Sequence, residues 1–177
     1  PATTGELTIG SWRGTAGRKA FFGGIDPQTR LTTDPITITV KPLPPAPPGF
    51  SGAVGTFELA ATLSEKEVVQ GMPVEVRLRV FGSGNPDAIA APSLDSIEGA
   101  YVTSPEANIE QNVDREAYLK TFVYTVTPLE AGDLTIPPLE FLYFDPEDGQ
   151  YKTVATDPFA VHVLASPESD SRLYTAD

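Results

Sequence analysis

The 177 residues include no cysteine, which excludes a disulfide framework, a thiolate nucleophile and a thiolate metal site, while remaining compatible with any compartment. Histidine, tryptophan and methionine occur once each. Basic residues are scarce as well: twelve Lys and Arg face 24 Asp and Glu, a formal charge of −12, so a phosphate backbone is repelled and nucleic acid is not expected as a partner. No apolar run approaches the ~20 residues of a membrane span, and no charged-then-apolar leader opens the sequence. Membrane attachment is therefore expected only through segments outside these residues. Gly14-Thr-Ala-Gly-Arg-Lys19 has the wrong glycine spacing for a phosphate loop and lacks its trailing Ser or Thr.

What the chain does have is turn chemistry and period-two patterning. Eighteen prolines and 15 glycines punctuate short runs rich in Val, Ile, Thr, Tyr and Phe, which predicts strands joined by turns. The only helix-friendly windows, residues 64–70 and 114–120, reach no more than about two turns. The alternation is cleanest at 73–80, where Val74, Val76, Leu78 and Val80 point in and Glu75, Arg77 and Arg79 point out. Phe57, Leu59, Ala61 and Leu63 give another strand, and Tyr118, Phe122, Tyr124 and Val126 share one face of a long one over 116–127. Ile89, Leu94 and Ile97 anchor the loop-rich connection between them.

One unit occurs twice. Gly5-Glu-Leu-Thr-Ile9 matches Gly132-Asp-Leu-Thr-Ile136, Thr33-Asp-Pro35 matches Thr156-Asp-Pro158, and Ile36-Thr-Ile-Thr-Val40 matches Phe159-Ala-Val-His-Val163. The sequence is therefore expected to hold the end of one domain and the whole of the next: an all-β chain of tandem immunoglobulin-like antiparallel sandwiches, the first one truncated. Residues 1–40 are the closing strands of the truncated domain and 41–55 a proline-rich spacer. Residues 56–165 form the complete sandwich, and 166–177 a polar tail. So small a piece as 1–40 needs cover from strands preceding it, from the second domain or from a neighbouring chain.

Few residues are candidates for chemistry. The glycine-rich loop at 10–24 carries Trp12, Phe21 and Phe22 beside basic residues; they are either an aromatic anchor for a protein partner or core residues of the truncated domain. His162 lies between Val161 and Val163 and so points to solvent, with no serine signature to serve. Asp145, Glu147 and Asp148 precede Gly149, yet the alternating spacing and distal glutamate of a calcium loop are missing, leaving a turn capped by its own carboxylates. Trp12, Tyr143 and Tyr151 are the plausible stackers for a sugar. No catalytic, metal or cofactor residue is assigned.

The segments 60–74, 81–86 and 124–141, the last reading Tyr-Thr-Val-Thr-Pro-Leu-Glu-Ala-Gly-Asp-Leu-Thr-Ile-Pro-Pro-Leu-Glu-Phe, resemble the bacterial BatD-type aerotolerance (oxygen tolerance) proteins, and 33–44 looks like that family's junction between tandem domains. The resemblance implies a membrane-anchored protein with a signal peptide, facing the periplasm or cell exterior. It also implies partners with von Willebrand A domains, operons with a MoxR-type ATPase, and a role in stress or oxygen tolerance. It brings no catalytic motif. The expected function is a non-enzymatic protein–protein interaction module; a carbohydrate or cell-wall binder and a calcium-stabilised adhesin repeat are the alternatives.

Overall fold

A computed structural model describes residues 4–16, 29–94, 96–112 and 117–167. The chain divides into two units, residues 1–46 and 47–177.

In the first unit, Leu7 and Ile9 alternate with Glu6 and Thr8, and the segment is extended. The strands are β1 (Gly5–Ile9), β2 (Arg13–Ala16), β3 (Thr29–Thr32) and β4 (Ile36–Val40). β1 pairs antiparallel with β4, setting Gly5 opposite Val40, Leu7 opposite Ile38 and Ile9 opposite Ile36. β2 pairs with β3 in the same register, Arg13 opposite Thr32. Pro35 cannot donate to the ladder, so the pairing lapses there without slipping. Across the lapse the Trp12 N–H donates to Thr33 Oγ1 and the Thr33 N–H to the Trp12 carbonyl, both at 3.0 Å.

The second unit begins with β5 (Phe50–Val54), β6 (Phe57–Leu63), β7 (Glu67–Val69) and β8 (Val74–Gly82), followed by a 3₁₀ turn at Pro86–Ala88. Then come β9 (Ala100–Val102), β10 (Glu106–Asn112), β11 (Ala117–Pro128), β12 (Gly132–Ile136), β13 (Glu140–Asp145), β14 (Gln150–Ala155) and β15 (Phe159–Leu164). One layer has the order β10-β11-β8-β6, with β9 beside the far end of β11. The other is a long hairpin, β12 and β13 running out and β14 and β15 returning. Its pairings keep one register from Gly132 opposite Val163 to Asp145 opposite Gln150. The prolines at 137, 138 and 158 interrupt its ladder, and Leu139 and Thr156 bridge the gap: the Leu139 N–H donates to Thr156 Oγ1 at 3.0 Å, and the Thr156 N–H to the Leu139 carbonyl at 3.1 Å.

The two layers close on a single core. Val74, Val76, Leu78 and Val80 from β8 and Phe122, Tyr124 and Val126 from β11 meet Leu134, Ile136, Leu139, Phe141, Val161 and Val163 from the hairpin. Phe57 stands edge-on to Phe141 and Tyr143, with ring centroids 5.6 and 5.3 Å apart. Burying each large apolar side chain contributes roughly 1.5–3 kcal/mol, and the aromatic contacts add to it. This is an all-β, immunoglobulin-like sandwich, as the period-two patterning implies.

Three expectations are corrected. Residues 50–54 belong to a strand rather than to the 41–55 spacer, and the second unit starts at 47 rather than 56. The window 64–70 forms no helix: its residues 67–69 are β7. Nor is the sandwich purely antiparallel, because β5 joins β13 and β7 joins β15 as parallel edge strands. Of the other helix-friendly window, residues 117–120 open β11, while 113–116 lie outside the described residues, as do 168–177 of the expected tail.

Candidate interaction surface

The residues expected to carry recognition are placed unequally. Trp12 is 63% exposed, and its indole lies over Gly14, where a Cβ would run into the ring. Phe21 and Phe22 lie outside the described residues. Of the other two candidate stackers, Tyr143 is buried in the aromatic core, and half-buried Tyr151 packs edge-on against Phe50 and Phe144, with centroids 5.2 and 5.1 Å apart.

Asp145 with Lys152 holds a turn, and His162 with Asp133 a strand pair. Asp145 ends β13 nearly buried, and its Oδ1 accepts the backbone N–H groups of Glu147 at 2.9 Å and Asp148 at 3.4 Å. Lys152 donates to Asp145 Oδ2 at 2.7 Å and also reaches Asp148. The hydrogen bond from Lys152 and those from the turn hold the Asp145 carboxyl below its usual range, and the bonds to Asp145 and Asp148 push the Lys152 ammonium above its own. An ammonium thus stands between the two carboxylates at the place where a calcium loop would seat its ion.

His162 on β15 faces Asp133 on β12 and Glu67 on β7, its partners in the two adjoining strands. Its Nδ1 lies 2.8 Å from Asp133 Oδ1, on an open sheet face. The Asp133 hydrogen bond, opposed by burial and helped by the charges of Asp133 and Glu67, raises the histidine above its ordinary 6.5. Because the raised pKa belongs to the folded state, the stabilisation is complete below 6.5 and is lost as pH climbs through the folded value. With a single histidine in the chain, a proton NMR titration is expected to show a midpoint above 6.5, and Asp133→Asn to bring it down. An unshifted wild-type midpoint would remove the pair.

A further site was not anticipated. On β11 Lys120 points inward and is 7% exposed, yet its ammonium donates to the carbonyls of Pro86 at 2.7 Å and Ile89 at 2.8 Å. Four residues on, Tyr124 donates its phenol to the Pro92 carbonyl at 2.7 Å. Burial lowers the lysine pKa, partly offset by Asp87, and raises that of the tyrosine. Both side chains clamp the 85–92 loop onto the sheet. Residues 47–177 carry seven Lys and Arg and 21 Asp and Glu, whereas residues 1–46 carry five and three, so the surplus of negative charge belongs to the sandwich.

A family model described as BatD DUF11 like domain matches residues 61–163, from the middle of β6 to the end of β15. The chain belongs to the BatD family. No curated protein and no solved structure matches it. The BatD family is generally membrane-associated with an extracytoplasmic domain, and among the described residues no helix is long and apolar enough to cross a membrane. The BatD match takes in both layers of the sandwich and the Lys120 and Tyr124 clamp, while β5 lies before it.

Among the described residues, the layer of β10, β11, β8 and β6 ends in an open edge on each side, one at β6 and one at β10. β10 ends its layer, bonded to β11 on one side, and residues 106–110 are exposed. Such an edge presents a row of backbone donors and acceptors.

Proposed function

We propose that this BatD segment is a non-enzymatic interaction module, displayed on the periplasmic or outer face of a membrane-anchored protein that serves aerotolerance or stress resistance. Its partners are other extracytoplasmic membrane proteins, von Willebrand A-domain proteins foremost. The observation that carries the reading is β10, a seven-residue strand left open at the edge of a well-packed layer. Asp145 with Lys152 and His162 with Asp133, by contrast, hold a turn and a strand pair. A partner adds a strand to β10 through main-chain hydrogen bonds, with Ile109 and the flanking Glu106 and Glu110 setting specificity. The excess of carboxylates favours a partner whose contact strand is cationic, so association weakens as salt rises.

Proline scanning tests this directly, because successive N–H groups in a strand point to opposite sides. Of Asn108→Pro and Ile109→Pro, one removes a donor aimed at the partner and the other a ladder bond to β11. One variant is expected to lose at least about tenfold in affinity with its Tm little changed, and the other to lose about 1 kcal/mol or more of stability. If both variants capture the A-domain partners as well as the wild type does, β10 is not the docking edge.

A further inference from the structure

The ribbon in the first unit repeats the closing ribbon of the BatD domain pair for pair. Gly5 and Val40, Leu7 and Ile38, and Ile9 and Ile36 stand opposite one another as Gly132 and Val163, Leu134 and Val161, and Ile136 and Phe159 do. Trp12 and Thr33 exchange the same two hydrogen bonds as Leu139 and Thr156. Gly5 and Gly132 both take a positive φ, 108° and 129°, which a side chain would strain. The fate of the apolar positions differs. In the BatD domain the counterparts Leu134, Ile136, Leu139 and Val161 are buried beneath the sheet carrying β8 and β11, and Phe159 is partly buried against the same core. In the first unit Leu7, Ile9, Trp12, Ile36 and Ile38 are exposed.

The opposite face of β1 and β4 is polar, with Glu6 across from Thr39 and Thr8 hydroxyl-bonded to Thr37 at 3.2 Å. Only one face, therefore, is built for burial. We propose that this apolar face is a completion surface, and that its occupant is an antiparallel sheet of the BatD kind, with a Val, Leu and Phe inner face like that of β8 and β11, carried by the same polypeptide ahead of the ribbon. The length of that cover follows from the second copy. There the span from Phe50 to Gly132 supplies the other strands, so the cover needs about 80 residues to complete a sandwich of ~100. Trp12 then takes the core position that Leu139 holds in the BatD domain. Gly14, at the place of Phe141, leaves the room that the larger indole fills. This inference does not rest on the proposed function.

Trp12 is the only tryptophan among the 177 residues and so reports its own environment. Acrylamide quenching is to be compared between this chain and one extended upstream by about 80 residues, with Trp12→Phe spectra subtracted to remove any tryptophan in the extension. In the extended protein Trp12 emission is expected to shift to the blue, its quenching to fall several-fold, and amides 5–9 and 36–40 to exchange at least tenfold more slowly. Ile38→Asp in the extended protein is expected to abolish protection of the upstream strands while the BatD domain keeps its Tm. Trp12 remaining open to quencher beside folded upstream strands would overturn the proposal. So would upstream protection that survives Ile38→Asp. Burial of Trp12 already in the 177-residue chain, whether as a monomer or in a concentration-dependent dimer, would assign the face to a different occupant and equally overturn it.

Discussion

Lys120→Ala is expected to lower the unfolding free energy of the BatD domain by about 2–3 kcal/mol, a fall in Tm on the order of 10 °C. The ammonium makes two charge-assisted bonds to carbonyls, and removing it strands the Ile89 carbonyl and leaves a void where the stem ran. The Pro86 carbonyl keeps its turn bond from the Ile89 N–H. Relief of the burial cost of the charge reduces the loss but does not cancel it. Lys120→Met, which keeps the apolar stem, is expected to recover about half, and Tyr124→Phe to cost about 1–2 kcal/mol for its one bond. Because both side chains fasten one loop, the double variant loses less than the sum. The pH dependence has a definite sign. Burial makes the folded state bind the Lys120 proton less tightly than the unfolded chain, so stability rises as pH climbs through the folded pKa towards 10.5, a trend that Lys120→Met abolishes. Urea titrations that place Lys120→Ala within 0.5 kcal/mol of wild type, the usual scatter of a surface change, would refute the clamp.

The clamp also marks where sequence reasoning stops. Lys120 has the same parity as Tyr118, Phe122 and Tyr124, so period two places it on the inward face. A lysine there reads as an interruption until the 85–92 loop is seen to bring its carbonyls over it. Where side chains are large and alternate, as in β8 and β15, strand and facing are both legible, and Ile89, Leu94 and Ile97 are buried as that pattern requires. β5 is hidden because it is built from small residues. Ser51 and Ala53 face in, Gly52 lies against the Ala88 carbonyl, and the Ser51 hydroxyl donates to the Leu142 carbonyl at 2.7 Å while accepting the Ala53 N–H. Close approach of backbones, not hydrophobic alternation, makes it a strand, and close approach is a tertiary fact. β7 is hidden in another way: Glu67-Val-Val69 lies inside the helix-friendly window 64–70 and is too short to show a period of two, and pairing with β15 makes it a strand. The prolines at 137, 138 and 158 are visible as breaks, but sequence does not show that the register survives them, since that depends on both arms of the hairpin losing equal length. The candidate site fared worse than the fold. Aromatic content singles out Trp12 and Tyr143, whereas the open edge β10 is marked only by a weak run of polar residues around Ile109.

The sharpest contrast lies between two side chains at equivalent places. Leu139→Ala is expected to cost about 2–5 kcal/mol, because Leu139 is 1% exposed at the centre of the sandwich and its removal leaves a cavity that the prolines beside it keep from collapsing. Trp12→Ala, at the matching position of the first ribbon, is expected to change stability by no more than about 0.5 kcal/mol in the 177-residue chain, since an indole in water has little to lose. Thermal unfolding of the two variants measures both numbers. A two-stranded ribbon has almost no stability of its own, so the register shared by β1 and β4 with β12 and β15 cannot by itself make Trp12 matter. Cover does that. With the upstream sheet in place the cost of Trp12→Ala is expected to rise to about 3–5 kcal/mol, the range for truncating a buried aromatic. If Trp12→Ala is instead as costly as Leu139→Ala in the 177-residue chain, the ribbon already has a core there, and the equivalence of the two positions extends to their burial.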